Sequence, residues 1–356
     1  MTCKILTINP GSTSTKIGVY DNITEIMTEN LSHSSAEISS FSKITDQFEY
    51  RLGKIIDFLD NNKLKLKDFS AIVGRGGLLK PVVSGTYEIN ELLLKDLLTC
   101  RYGAHASNLG ALLADKLAKQ AGCPSYIVDP VVVDELEPVA RISGLPELPK
   151  RSIFHALNQK AVAKRYAKLI KRPYEELNLI VAHLGGGISV GCHKQGRVVE
   201  VNNALDGDGP FSPERAGTVQ AGQFAELISS GKYDKAAIPK LLAGKGGLVA
   251  HLNTNDARVV EKRISEGDQA AELIYTAMIY HIARYIAASA IPTAGKVDFI
   301  ILTGGIACSE YLTNKLKQYI DFIAPVVVIP GENELQALAE GAYRVLIGEE
   351  KALSYN

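Results

Sequence analysis

The chain has 356 residues, enough for two domains that each bury a core, and its 46% hydrophobic and 22% charged residues match soluble globular proteins. Its 39 basic and 39 acidic residues cancel, so no net field favours nucleic acid or an acidic membrane, and an anionic ligand has to be held by local charge. No run reaches the roughly 18 apolar residues of a membrane span, the start MTCKILTINPGS lacks the apolar stretch of a signal peptide, and five scattered cysteines show no metal spacing, so a cytoplasmic protein with reduced thiols is expected.

In chain order, Lys4 to Ile8 predicts a strand, Asn9 to Thr15 a polar loop and Ile17 to Tyr20 a second strand. Asp46 to Asp60 predicts a helix with Phe48, Leu52, Ile55, Ile56 and Leu59 on its apolar stripe. Ala71 to Val73 is a short buried strand running into GRGG, Asn108 to Ala121 is a helix stopped by Gly122 and Pro124, and Tyr126 to Val128 is a strand ending on Asp129. Asp134, Glu135 and Glu137 fall in a loose stretch that reads as surface. Segment 138–150, with three prolines and Gly144, reads as a linker.

After it, Ala156 to Lys171 predicts a helix, Leu177 to Ala182 a strand, and Ile188 to Cys192 its return after three glycines. Further helices are expected near 216–230, 255–265 and 268–290. Strand Asp298 to Leu302 enters TGGIA and then a helix, Val326 to Ile329 is a strand, and Leu335 to Ile347 the last helix. Strands and helices alternate, which gives an α/β class. The pattern of strand, small-residue turn, strand occurs in both halves and points to a duplicated domain.

Three turns suit phosphate. INPGSTSTK offers main-chain N–H groups, hydroxyls and Lys16, without the spacing of a Walker A loop. In HLGGGIS three glycines let backbone approach a ligand at φ values other residues avoid, and in TGGIA backbone can lie against a flat base. All three end strands, where ligands gather in α/β folds. Phosphoryl transfer also needs cations on the migrating group and carboxylates on a metal. Arg75, His105, Asp129, His155, His183, Arg215, Glu332 and Glu334 all stand at element ends.

INPGSTSTK, GRGG, YGAHAS, VDP, SIFHALNQ, AHLGGGISVG, SPERAG, TGGIA and PGENEL follow one another from residue 4 to about 347, in an order that resembles the butyrate kinases, relatives of the acetate kinases in the acetate and sugar kinase, heat-shock chaperone and actin superfamily. The resemblance implies two ribonuclease-H-like, actin-like ATPase domains with an ATP cleft between them: 1–150, rejoined by the last helix at 335–356, and 151–334. It implies that Asn9, Ser12, Ser14 and Lys16 form a first phosphate loop, His183, Gly185, Gly186 and Gly187 a second, and Gly304 and Gly305 the adenosine loop. Arg75, His105 and His155 take catalytic places, as does Arg215, although its segment is shorter than in acetate kinases. Asp129 and Glu334 (or Glu332) are the Mg²⁺ carboxylates. Acetate kinases carry HGTSH where this chain has HALNQ, so their second histidine is Gln159 here.

The implied reaction moves phosphate from ATP to a short-chain carboxylic acid. Such an acid is ionised at neutral pH and needs no general base. The acyl pocket implied is Gly77, Ala104, Phe154 and Pro213. Gly77 and Ala104 replace a valine and a leucine of acetate kinases, which favours butyrate. A homo-oligomer, dimer or higher, is expected, with no nucleic-acid or membrane partner. Competing readings are an acetate, propionate or branched-acid kinase, and a non-catalytic nucleotide-binding regulator of the same fold. A plain structural α/β protein leaves the glycine turns without a purpose.

Overall fold

The computed structural model describes residues 2–356. It divides into two compact units, Met1–Val133 with Asn333–Asn356, and Asp134–Glu332. In the first, β1 (Lys4–Pro10), β2 (Ser14–Asp21) and β3 (Thr24–Ser32) are followed by α1 (Ser35–Ser39), α2 (Phe48–Asn61), β4 (Ala71–Arg75), β5 (Thr86–Glu88), α3 (Glu91–Leu98), α4 (Asn108–Ala121) and β6 (Ser125–Val128). The second runs through α5 (Pro138–Arg141), α6 (Ala156–Leu169), β7 (Asn178–Leu184), β8 (Ile188–Lys194) and β9 (Arg197–Val201). It continues with α7 (Ala221–Ser229), α8 (Ile238–Leu242), α9 (Leu248–Leu252), α10 (Ala257–Ser265), α11 (Gln269–Ala288), β10 (Phe299–Thr303), α12 (Glu310–Ile320) and β11 (Val326–Val328). The chain then returns to the first unit as α13 (Glu334–Leu346) and β12 (Leu353–Ser354).

The sheet of the first unit has the order β12-β5-β6-β4-β1-β2-β3, that of the second β11-β10-β7-β8-β9. Both contain the same module: an antiparallel three-stranded meander whose first strand also pairs in parallel with the next strand of the sheet, and that strand with a further parallel one. The duplication expected from the sequence is therefore one of topology, and the β1–β2 and β7–β8 turns are equivalent positions. The central strands bury both faces, as β4 and β6 do throughout, which is why they read as short apolar runs.

Helix α4 starts and stops where its pattern predicts, with Gly122 at φ +73° as its left-handed cap. A Cβ on Gly74 would lie 2.1 Å from the Gly110 carbonyl oxygen, so two facing glycines let α4 lie directly on β4 and fix the end of the strand that carries Arg75. The loop expected at Asn9–Thr15 is shorter, because β1 and β2 stay paired as far as Pro10 and Thr15. On α2, Ile56 is exposed, and its place on the buried face is taken by Arg51 and Phe58. The expected linker 138–150 lies inside the second unit, and of the acidic residues before it Glu135 is buried while Asp134 and Glu137 are half-buried. Glu135 is buried against Lys160 (2.7 Å) and accepts from the Val198 N–H, while Glu137 pairs with Lys194 (2.9 Å) and Lys150 with Glu200.

Candidate active site

In the first unit Asn9, Ser14, Lys16, Arg75, His105 and Glu334 line a cavity of about 320 Å³, together with the turn residues Pro10 and Gly11. Ser12, Asp129, Gly77 and Ala104 are not among its lining residues. Arg75 ends β4 nearly buried and pairs with Glu334, which also accepts from the Asn9 amide at 2.6 Å. Glu334 is thus the partner of a cation. His105 holds its Nδ1 2.8 Å from the Ser107 hydroxyl.

The β1–β2 turn is fixed from below. Gly11 N–H donates to the Ser14 carbonyl (2.8 Å) and His33 N–H to the Thr13 carbonyl (2.8 Å). Arg51, 0% exposed, donates to the carbonyls of Ser14 (2.9 Å) and Ser12 (3.3 Å), to the Thr15 hydroxyl (3.0 Å) and to Gln47. Every acceptor of this buried guanidinium is neutral, and burial draws its pKa down. His33 meets Thr15 from the other side (2.9 Å), and burial, then Arg51, lowers its pKa to about 4. Sequence reading missed Arg51 and His33, since an arginine on a helix and a lone histidine read as solvated.

Asp129 stands at φ +38° just past β6, 3% exposed. Its Oδ1 accepts from the Ser84 hydroxyl (2.6 Å) and the Gly85 N–H (2.8 Å). The acyl-pocket expectation needs correction at Gly77. A Cβ there would lie 2.4 Å from Asn108 Oδ1 and 2.6 Å from Asn108 Cα, so the start of α4 fills the space a valine would use. Ala104 is exposed, and in the second unit Phe154 and Pro213 are buried.

In the second unit the β7–β8 turn is bound by the loop that follows β9. Ser212 Oγ (2.6 Å) and Glu214 N–H (3.2 Å) donate to the Gly186 carbonyl, and Gly185 N–H donates to that of Gly187 (3.2 Å). The Arg215 guanidinium lies on Gly187, where a Cβ would sit 1.9 Å from Nη1, and it donates to the Ala204 carbonyl. None of Gly185, Gly186 and Gly187 has positive φ, contrary to the conformational reason expected, and close approach selects glycine at Gly185 and Gly187 while a Cβ at Gly186 meets only ordinary contacts. Gly304 does sit at φ +92° and pairs with Gly331.

His155, just before α6, and His183, near the end of β7, stack with ring centroids 3.8 Å apart and planes 7° from parallel. His155 Nδ1 lies 2.8 Å from Ser189 Oγ, His183 Nδ1 2.8 Å from Asn158 Nδ2, and His183 Nε2 3.2 Å from Glu332. Asn158, Gln159 and Lys160, successive buried residues of α6, support this pair and the strands beside it. Gly186 and Gly305 line a second cavity, of about 860 Å³, with Glu214, Asn255, Arg258, Glu261 and Tyr311. Its α10 and α12 residues carry no turn signature and escaped sequence reading.

Among the described residues no three His, Cys, Asp or Glu side chains converge on a metal position, and no helix is long and apolar enough to cross a membrane.

Residues 148–323 match the acetokinase family model. The chain is 54% identical to butyrate kinase 2 of Clostridium acetobutylicum and 55% identical to a probable butyrate kinase of Clostridium botulinum, in both cases over 100% of each chain. The structure of Porphyromonas gingivalis acetate kinase superposes with a TM-score of 0.76 at 20% identity, over 96% of this chain and 99% of that one, a likeness of fold. With relatives of this identity along its whole length, the chain belongs to the acetokinase family.

Proposed function

We propose that this protein transfers the γ-phosphoryl group of ATP to the carboxylate of butyrate or a similar short acid, reversibly, giving an acyl phosphate and ADP. The single observation that carries the acceptor chemistry is the pairing of Arg75 with Glu334: the one carboxylate lining the first cavity is tied to a cation and to Asn9. A hydroxyl acceptor needs a general base, whereas an ionised acid needs charge screening instead. Arg75 and Lys16 supply positive charge on this cavity, and the turn, its carbonyls taken up on the protein side, offers N–H groups to phosphate. In the second unit the larger cavity beside Gly186 and Gly305 suits the nucleotide. His155 and Arg215 are the groups we assign to the transferring phosphoryl there.

Asp129 suits Mg²⁺, which takes one or two carboxylates and keeps several waters, so three converging side chains are not required. When bound, the ion screens charge on the nucleotide phosphates. Glu334 serves Arg75 and Glu332 faces His183, which leaves Asp129 as the carboxylate we assign first. The five cysteines are free, in keeping with a cytoplasmic enzyme. Exposed Val139, Ile142, Leu148 and Ile291 on the second unit favour association of copies, which light scattering on the purified protein would measure.

Initial rates with ATP, Mg²⁺ and acids from acetate to hexanoate, with hydroxylamine trapping of acyl phosphate, test the reading. Butyrate is expected to exceed acetate in kcat/KM by roughly tenfold. Absence of trapped product with every acid would refute it. Because a valine at Gly77 would strike α4, Ala104→Leu is the informative pocket change, and it is expected to lower the butyrate-to-acetate ratio.

A further inference from the structure

A buried chain of hydrogen bonds leads away from His155, and its direction can be read from one fixed end. The Ser189 carbonyl can only accept, so the Gln159 atom 3.0 Å from it is the amide nitrogen. The second hydrogen of that nitrogen goes to Ser189 Oγ at 2.8 Å. The Gln159 oxygen then faces His193 Nε2 at 3.0 Å, which therefore carries a hydrogen. His193 is 0% exposed, burial holds its pKa well below the usual value, and its bare Nδ1 accepts from the Tyr174 hydroxyl at 2.7 Å. At the other end, Ser189 Oγ already accepts from Gln159 and, at 3.4 Å, from the His155 main-chain N–H. Its own hydrogen points to His155 Nδ1, 2.8 Å away.

We propose that Gln159, acting through Ser189 and anchored by His193 and Tyr174, is a positioning residue that fixes His155 as a neutral imidazole with its hydrogen on Nε2. The proposal rests on the reading of His155 as a group that touches the transferring phosphoryl. It gives that group a definite form: a standing N–H donor that needs no proton from solvent and presents the same hydrogen in each turnover. A glutamine at this place has fixed donor and acceptor ends. An imidazole at this place would have to acquire that polarity through its own tautomer.

The test is long-range proton–nitrogen NMR on full-length protein with labelled imidazoles, without substrate and near neutral pH, His155 being assigned from the signals lost in His155→Gln. The expected pattern is a bare Nδ1 and a protonated Nε2. A hydrogen on Nδ1, or on both nitrogens, overturns the proposal. In Gln159→Met the Ser189 hydroxyl is released, so His155 should populate more than one form, and kcat should fall about 10–100-fold with the KM for ATP within about twofold. A folded Gln159→Met protein that keeps the single Nε2–H form rules out the positioning role. If that variant does not fold, Ser189→Ala removes the directing hydroxyl itself, and an unchanged His155 pattern there has the same force. Full activity in His155→Gln would instead sink the catalytic reading of His155, while the NMR pattern would still decide the tautomer.

Discussion

The β1–β2 and β7–β8 turns occupy the same place in two copies of one topology, yet they are held by different means. In both, the main-chain carbonyls accept hydrogen bonds from the protein, which leaves a turn suited to anions. In the first the side-chain donor is Arg51, rooted in the core face of α2. In the second the donors are Ser212 and Glu214 of a loop, with Arg215 laid across Gly187. Duplication thus kept the strands and not the support. A support built into a helix face ties its turn to the stability of the unit, while one borne on a loop can change with little cost to the fold.

Four measurements press on this contrast. The largest effect is expected at Arg75, the cation of the first cavity: Arg75→Ala should lower kcat by about 10²–10³, or roughly 3–4 kcal/mol of barrier. A kcat within about threefold of wild type would make Arg75 structural. Next, Arg51→Met removes the side-chain donor to the carbonyls of Ser12 and Ser14, and chemical denaturation should register a loss of about 2–3 kcal/mol. Arg215→Ala should cost less stability than that; equal losses would erase the distinction between helix-borne and loop-borne support.

Third, a Cβ at Gly186 meets nothing closer than 3.6 Å, so Gly186→Val should fold and weaken ATP binding about tenfold, or ~1.4 kcal/mol, by calorimetry. Unchanged ATP affinity would remove this turn from the nucleotide site. The smallest effect concerns His33. Its folded pKa of about 4 lies below the ordinary 6.5, so the unfolded chain binds the extra proton first. The stability contributed by neutral His33 is fully present above about 6.5 and is lost as pH falls toward about 4. His33→Gln should flatten the melting temperature across that interval, and an unaltered slope would show that another group sets it.

What the sequence disclosed follows physical lines. The boundaries of α4 were legible because its apolar period, its capping glycine and a following proline agree. The turns were legible because glycine and small hydroxyl residues collect there. Strand β3 was not, since it lies largely exposed and TEIMTENLS carries no buried alternation. Asn158, Gln159 and Lys160 were the hardest: three polar residues in a row on a helix read as solvent-facing, yet each is buried and bonded, to His183, to Ser189 and to Glu135. Burial of a polar residue is decided by a partner distant in sequence, and only the fold supplies it. Gly77 failed for a related reason, because the missing side chain was matched by an approaching helix.

The path of the chain also has a consequence in time. Strand β12 pairs with β5, and Tyr355, 2% exposed, donates to Asp96 at 2.8 Å, so the first unit is completed by residues translated after the second. At 5–20 residues per second the ribosome spends roughly 10–40 s on Asp134–Glu332 between its two parts. The second unit is continuous and can fold as it emerges; the first has to wait with a face of its sheet unclosed. Chains ending at Glu332 and released from the ribosome should therefore resist protease across the second unit and be cut in the first. Protection of both would show that α13 and β12 are dispensable for closure. The part of the molecule made first is thus the part finished last, and its exposed interval is when a chaperone would find it.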